Sequence, residues 1–243
     1  LRDLHARDPA YNTQQRTLVK WSDMQPGFGE TQAQLRQKNE LFEFAKAWIG
    51  TALAFAVLFS GARRTDPQYY LSPAFFNLFL LAALTAGIGV ILHELAHRVV
   101  ARNFGARAHF VANDGMLVIS ILIAFTGFLF AAPGAVWHEG YLSKRQVGLI
   151  AAAGPVTNMI LALLFVGAVL TVGPAVSDFV YRGLIIGYFV NALLGVFNML
   201  PFGPLDGTKV LAWSGGVFGA LIAIAIGIAF GLPRVVQGLP SLF

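Results

Sequence analysis

The 243-residue chain is 56% hydrophobic and only 12% charged, with a mean hydropathy of +0.66; a soluble domain carries about 25% charged residues, so a soluble globular protein is excluded. It has no cysteine, which excludes disulfides, thiolate metal sites and thiol redox chemistry and leaves His, Asp and Glu as metal ligands. The net charge of +5 comes from basic residues flanking apolar runs, a sign of membrane topology rather than nucleic-acid binding.

The first 40 residues are polar and Gln-rich, broken by Pro26, Gly27 and Gly29, and read as an N-terminal arm. The opening "LRDLHARDPAYN" has no apolar core and does not read as a signal peptide. Thr31 and Gln34 have capping-box spacing, so a helix is expected to start near 31 and run into a first span at 41–60. Ser72 and Pro73 are an N-cap followed by proline at the first helical position. They open a second span, 74–103, about 45 Å long at 1.5 Å per residue and long enough to cross and protrude.

Residues 105–141 are ambiguous. Asn113-Asp114-Gly115 between β-rich runs is a hairpin signal, predicting a β-hairpin over 108–121. The apolar stretch after it is interrupted by Gly127, Pro133 and Gly134. Ser143 and Gln146 again have capping-box spacing and open a helix over 147–172 that contains Gly154-Pro155. Ser177-Asp178 begins another over 179–200, stopped by Pro201; the turn-rich "PFGPLDGTK" follows, then a last apolar stretch over 210–232. The expected class is an all-α integral membrane protein with five to six transmembrane helices and a small membrane-embedded β-hairpin or re-entrant segment. The expected division is a polar arm at 1–40, a polytopic membrane domain at 41–232 with its core at about 74–212, and a short tail at 233–243.

The second span carries "HELAH". On a helix, positions i and i+4 share a face, so His93 and His97 can present two imidazoles to one cation. Glu94 beside them suits a base that takes a proton from water rather than a ligand. Three ionisable residues within five positions of a membrane helix call for a shared partner, and Zn²⁺ suits such ligands. Catalytic zinc takes three protein ligands, so one is missing. The acidic residues after position 100 are Asp114, Glu139, Asp178 and Asp206. Asp114 reads as a turn residue, Asp178 as a helix cap, and His138-Glu139 as an exposed loop pair. His5 and His109 read as arm and strand residues. Asp206 differs: Pro201 and Pro204 unwind the backbone next to a span, which is tolerated at membrane depth only in protein or along a wet cavity. It is the expected third ligand.

Together, "HELAH", "AGPVTN" (Gly154, Pro155, Asn158) and "NMLPFGPLDG" (Asn198, Pro201, Leu205, Asp206, Gly207) resemble the site-2 protease family of intramembrane zinc metalloproteases, over about residues 75–212. The resemblance implies peptide-bond hydrolysis in the membrane, zinc on His93, His97 and Asp206, Glu94 as general base, and a short β-element after the HExxH helix. Asn158 and Asn198 are candidates to donate to substrate backbone or oxyanion, or else to join helices by hydrogen bonds. The partners expected are one zinc per chain, a transmembrane protein or peptide substrate, and the bilayer. A substrate helix must unwind to be cut, and the runs 115–120 or 130–137 offer an edge for the unwound strand.

One zinc also constrains topology. If 117–133 crossed the bilayer, an odd number of crossings would put Asp206 on the face opposite His93 and His97; this segment is therefore expected to re-enter without crossing, leaving five spans. With the N-terminus cytoplasmic, thirteen of the 17 Lys/Arg fall on the inner side and only Arg63, Arg64, Arg182 and Arg234 on the outer, the positive-inside sign. The metal site would then face the cytoplasmic side. The rival readings are a zinc-binding homologue without catalysis, which the intact Glu94 opposes, and a transporter, which would scatter polar residues along several spans.

Overall fold

The computed structural model describes residues 18–20, 39–61, 65–128, 133–139, 141–172 and 175–235. The expected helix start near Thr31 lies outside them. In chain order the elements are β1 (Leu18–Lys20), α1 (Glu40–Phe59), a 3-10 turn (Pro67–Leu71), α2 (Pro73–Asn103), β2 (Arg107–Ala112), α3 (Asp114–Ala124), β3 (Gly134–Glu139), β4 (Tyr141–Ser143), α4 (Lys144–Val172), α5 (Asp178–Asn198), α6 (Asp206–Trp213) and α7 (Gly215–Arg234). α1, α2, α4, α5 and α7 are each long and apolar enough to cross a membrane.

Local chemistry sets most helix starts. Asn39, Ser72 and Ser177 cap α1, α2 and α5, their side chains accepting from Leu41, Phe75 and Val180 N–H. Asp178 is the first helical residue after Ser177 and pairs with Arg182 at 2.7 Å. At α4 the capping box is complete: Ser143 N–H donates to Gln146 Oε1 at 2.8 Å and Gln146 N–H donates to Ser143 Oγ at 3.3 Å. α2 and α7 each contain a π-helical turn, Ala83–Gly87 and Gly227–Gly231. A π turn loosens the hydrogen-bond ladder, and a neighbouring helix supplies a donor at each. Trp48 Nε1–H donates to the Ala83 carbonyl and Tyr188 O–H to the Ile228 carbonyl, both at 2.8 Å.

The expected hairpin over 108–121 is corrected. β2 pairs antiparallel with β3, from Arg107 opposite Glu139 to Ala112 opposite Gly134. Asn113 turns no hairpin; its side chain accepts from Met116 N–H and caps α3. Asp114 is the first residue of that helix, and His138 and Glu139 lie in a strand rather than a loop. α3 has 11 residues, about 16 Å, too short to cross. The register brings Glu139 back beside Arg107, close to where the chain left α2.

The β2 edge away from β3 is closed by α1 and α2. Phe110 N–H donates to Glu40 Oε1 and Ala112 N–H to Glu43 Oε2, both at 3.0 Å. Arg102 donates to the Ala108 carbonyl at 2.7 Å. Glu43 is buried, and Lys46 bridges it to Asp114 at 3.1 and 2.7 Å, so the carboxylate is paired as burial requires. β3 has no second strand neighbour among the described residues, while β4 pairs with β1.

Buried apolar side chains join the helices. α4, α5 and α7 meet around Met159, Ala162, Tyr188 and Ala225; α1, α2 and α5 meet around Phe55, Ala86 and Val190. A third cluster holds β2 and β3 against α1, α2 and α4 through Ala47, Phe110, Val136 and Ile150. Within the last apolar stretch, over 210–232, Ser214 ends α6 and its side chain caps α7, so the span itself is Gly215–Arg234.

Candidate metal centre

His93 and His97 lie one turn apart on α2, about 15 Å and 9 Å from its end at Asn103 by helical rise, and both rings are buried. Asp206 arrives from a different part of the chain. α5 ends at Asn198, Pro201 and Pro204 forbid its continuation, and the loop re-enters helix at Asp206, the first residue of α6. Gly207 permits this return: a Cβ there would lie 2.2 Å from the Met199 carbonyl oxygen. α6 is thus held against the end of α5, and its first side chain reaches the α2 histidines.

Three acceptor atoms converge. Asp206 Oδ2 lies 3.2 Å from His93 Nε2 and 3.1 Å from His97 Nε2, and the two nitrogens are 3.0 Å apart. The other ring nitrogens are engaged: His93 Nδ1–H donates to Asn158 Oδ1 at 2.6 Å and His97 Nδ1–H to the Ile150 carbonyl at 2.7 Å. A neutral imidazole that donates from Nδ1 has only a lone pair at Nε2. Two lone pairs and a carboxylate oxygen facing one point suit a shared cation. Tetrahedral zinc at 2.0–2.1 Å from each ligand sets its donors about 3.3 Å apart, close to the triangle here. Metal-bound histidines typically donate their second nitrogen to a carbonyl or carboxylate, and both do so. His93, His97 and Asp206 therefore fit a single metal ion.

The packing leaves no slack. A Cβ at Gly154 of α4 would lie 2.5 Å from His93 Cε1, His93 Nε2 and His97 Nε2, so only hydrogen fits beside these ring atoms. Glu94 is buried next to His93, within electrostatic reach of Asp206 and Lys209. Lys209 Nζ lies 3.6 Å from Asp206 Oδ1, the oxygen not facing the rings.

The two asparagines separate. Asn158 is fully buried; its Oδ1 faces His93, and its Nδ2 donates to Asn191 Oδ1 at 2.9 Å and the Gly89 carbonyl at 3.3 Å. Both donor hydrogens are engaged, so it joins α2, α4 and α5. Asn198 donates to its own helix, at the Leu194 carbonyl, 3.0 Å away. Asn191, buried on α5, is absent from the sequence-level candidates; so is Ile150, whose contribution is a backbone carbonyl that no side-chain motif signals. Asp114 and Asp178 belong to other elements and are not in the cluster, and Glu139 lies in β3.

Known proteins resemble the chain in sequence. A Methanocaldococcus jannaschii protein with the provisional name zinc metalloprotease MJ0611 is 42% identical over 139 residues, covering 56% of this chain and 72% of its own length. Bacillus subtilis YwhC, also provisionally named a zinc metalloprotease, is 32% identical over 155 residues, 56% of this chain and 69% of the relative. A longer match, zinc metalloprotease MJ0392 of M. jannaschii, is 27% identical over 200 residues, 79% of this chain but half of that protein. No family model matches, and no solved structure does so significantly. Two relatives above 30% identity, each matched over more than two thirds of its length, show that the chain belongs to the site-2 protease family of zinc metalloproteases.

Proposed function

We propose that this multi-pass membrane metalloprotease hydrolyses peptide bonds within or beside the transmembrane segments of other proteins. It would hold one zinc per chain on His93 Nε2, His97 Nε2 and the Asp206 carboxylate. The observation that carries the reading is the burial of this donor set, with both histidines on a helix that is itself a candidate span and Asp206 brought to them from the end of another.

Bound zinc would supply Lewis acidity, lowering the pKa of water to about 7 and polarising a carbonyl. The chain's own residues do the rest. Glu94 takes a proton from the attacking water as its oxygen adds to the scissile carbonyl carbon. It returns that proton to the amide nitrogen as the C–N bond breaks, leaving an acid and an amine. Asn158 and the Ile150 carbonyl hold the two imidazoles in the tautomer that leaves Nε2 free. Burial of His93, Glu94, His97 and Asp206 limits competing water and strengthens each electrostatic contact.

The substrate segment must be extended where it is cut, because helical carbonyls are already bonded. β3 supports a place for it: the opposite edge of the sheet is closed by Glu40, Glu43 and Arg102, whereas β3 has no second strand neighbour among the described residues. The 134–137 part of one expected edge run lies in this strand, while 115–120 is helical and offers none. A strand added to β3 gains main-chain hydrogen bonds without a sequence requirement. The charge asymmetry of the loops supports a cytoplasmic N-terminus and a site facing the cytoplasm.

Reconstituted in liposomes with a transmembrane peptide, the protein is expected to cut within the apolar segment. Chelation should stop cleavage and added Zn²⁺ restore it. Cleavage that persists without metal, or that is confined to soluble peptides, would overturn the reading.

A further inference from the structure

We propose that Asn191 is a positioning residue for the metal centre: acting through Asn158, it fixes which ring nitrogen of His93 faces the ligand triangle. The proposal rests on the zinc reading above. Neutral imidazole carries its proton on either nitrogen, and only the Nδ1–H form leaves Nε2 to bind a metal. The Asn158 oxygen at 2.6 Å selects that form. Asn158 has its own ambiguity, since an amide turned end for end has nearly the same shape. Reversed, it would present Nδ2–H to His93 Nδ1, drive the ring proton to Nε2 and block the ligand.

The reversal is prevented from α5. Asn191 Oδ1, an acceptor, faces the nitrogen end of Asn158 at 2.9 Å, against 3.3 Å for the Gly89 carbonyl. Asn191 is prevented from turning by the same logic, because its Nδ2 donates to the Gly187 carbonyl at 2.8 Å. A backbone carbonyl only accepts. The line from Gly187 through Asn191 and Asn158 to His93 therefore has one consistent direction, with both asparagines fully buried and no water needed to complete it. Reversing any member places two donors or two acceptors together in an apolar interior, where an unsatisfied polar group is costly.

The test is metal affinity of the purified full-length protein, by competition with a chelator for Zn²⁺ and by the visible spectrum of Co²⁺. Asn191→Leu removes the acceptor that orients Asn158; it is expected to weaken Zn²⁺ binding about 10–100-fold and to reduce the tetrahedral Co²⁺ absorption at equal metal. Adding Asn158→Asp to Asn191→Leu is expected to restore both, because a carboxyl group presents oxygen to His93 either way round. Asn191→Asp, taken in its protonated form, keeps an acceptor oxygen toward Asn158 and supplies an O–H to the Gly187 carbonyl in place of Nδ2–H, and is expected to bind Zn²⁺ close to wild type. Wild-type affinity in Asn191→Leu would overturn the proposal. So would a double variant as weak as the single one, or a loss in Asn191→Asp equal to that in Asn191→Leu, since Asn191 would then serve packing alone. Wild-type protein that binds neither metal would instead overturn the zinc reading on which the proposal rests.

Discussion

Glu94→Gln is expected to retain zinc at the wild-type level and lose cleavage by about 10²–10⁴-fold, the usual contribution of a positioned acid–base group. The two halves of this result have separate causes. The three convergent acceptors come from His93, His97 and Asp206, so Glu94 is not needed to hold the ion. Glutamine fills the same buried volume and relieves the cost of burying a carboxylate, so folding should not suffer. What it lacks is a site that accepts a proton at neutral pH. Retained turnover would remove Glu94 from the mechanism; loss of zinc would make it a ligand. Measured together, peptide cleavage and metal content separate these outcomes. They also test the silent-homologue alternative, which expects no wild-type cleavage to lose.

Gly154→Ala should be nearly as damaging, although it adds only one methyl group. The new Cβ would lie 2.5 Å from atoms of both histidines, well inside van der Waals contact, so α4 or the rings must move. Movement of α4 carries the Ile150 carbonyl and Asn158 with it, the groups that orient His97 and His93. Displacing such partners costs about 10–100-fold in metal affinity or activity, and zinc affinity is expected to fall at least that far. Alanine is otherwise the better helix residue by about 1 kcal/mol, so the fold should survive. Gly167→Ala on the same helix is the control: a Cβ there would meet nothing within 4 Å, and zinc binding should be unchanged. Equal effects from the two would show that the histidine clash is not the cause.

Much of this is legible in the sequence because it depends on local chemistry. The serines before α2 and α5, the Ser143–Gln146 box and the i, i+4 histidines act over one turn of helix. Asp206 is legible for another reason: two prolines beside a span leave an acid no ordinary structural role. A small β-element and its first strand are legible, but its partner strand is not, because Asn113-Asp114-Gly115 serves equally well as a hairpin turn or as the start of a helix. The choice is made by pairing with residues 134–139, about 20 positions downstream and beyond any local signal. Ser214 is hidden because apolar residues on both sides mask a cap. Asn191 is silent for a related reason. Lone asparagines on an apolar helix look alike, and on α5 one bonds back to its own turn while another reaches across to orient a ligand's partner; only tertiary structure tells them apart.

The most direct test of the central claim is the zinc content of purified protein, measured per chain by elemental analysis for wild type and for Asp206→Ala after dialysis against the same weak chelator. One zinc per wild-type chain and a small fraction of that in the variant is the expected result, because two imidazoles one turn apart do not complete a zinc site. Full zinc occupancy in Asp206→Ala, or none in the wild type, would contradict it.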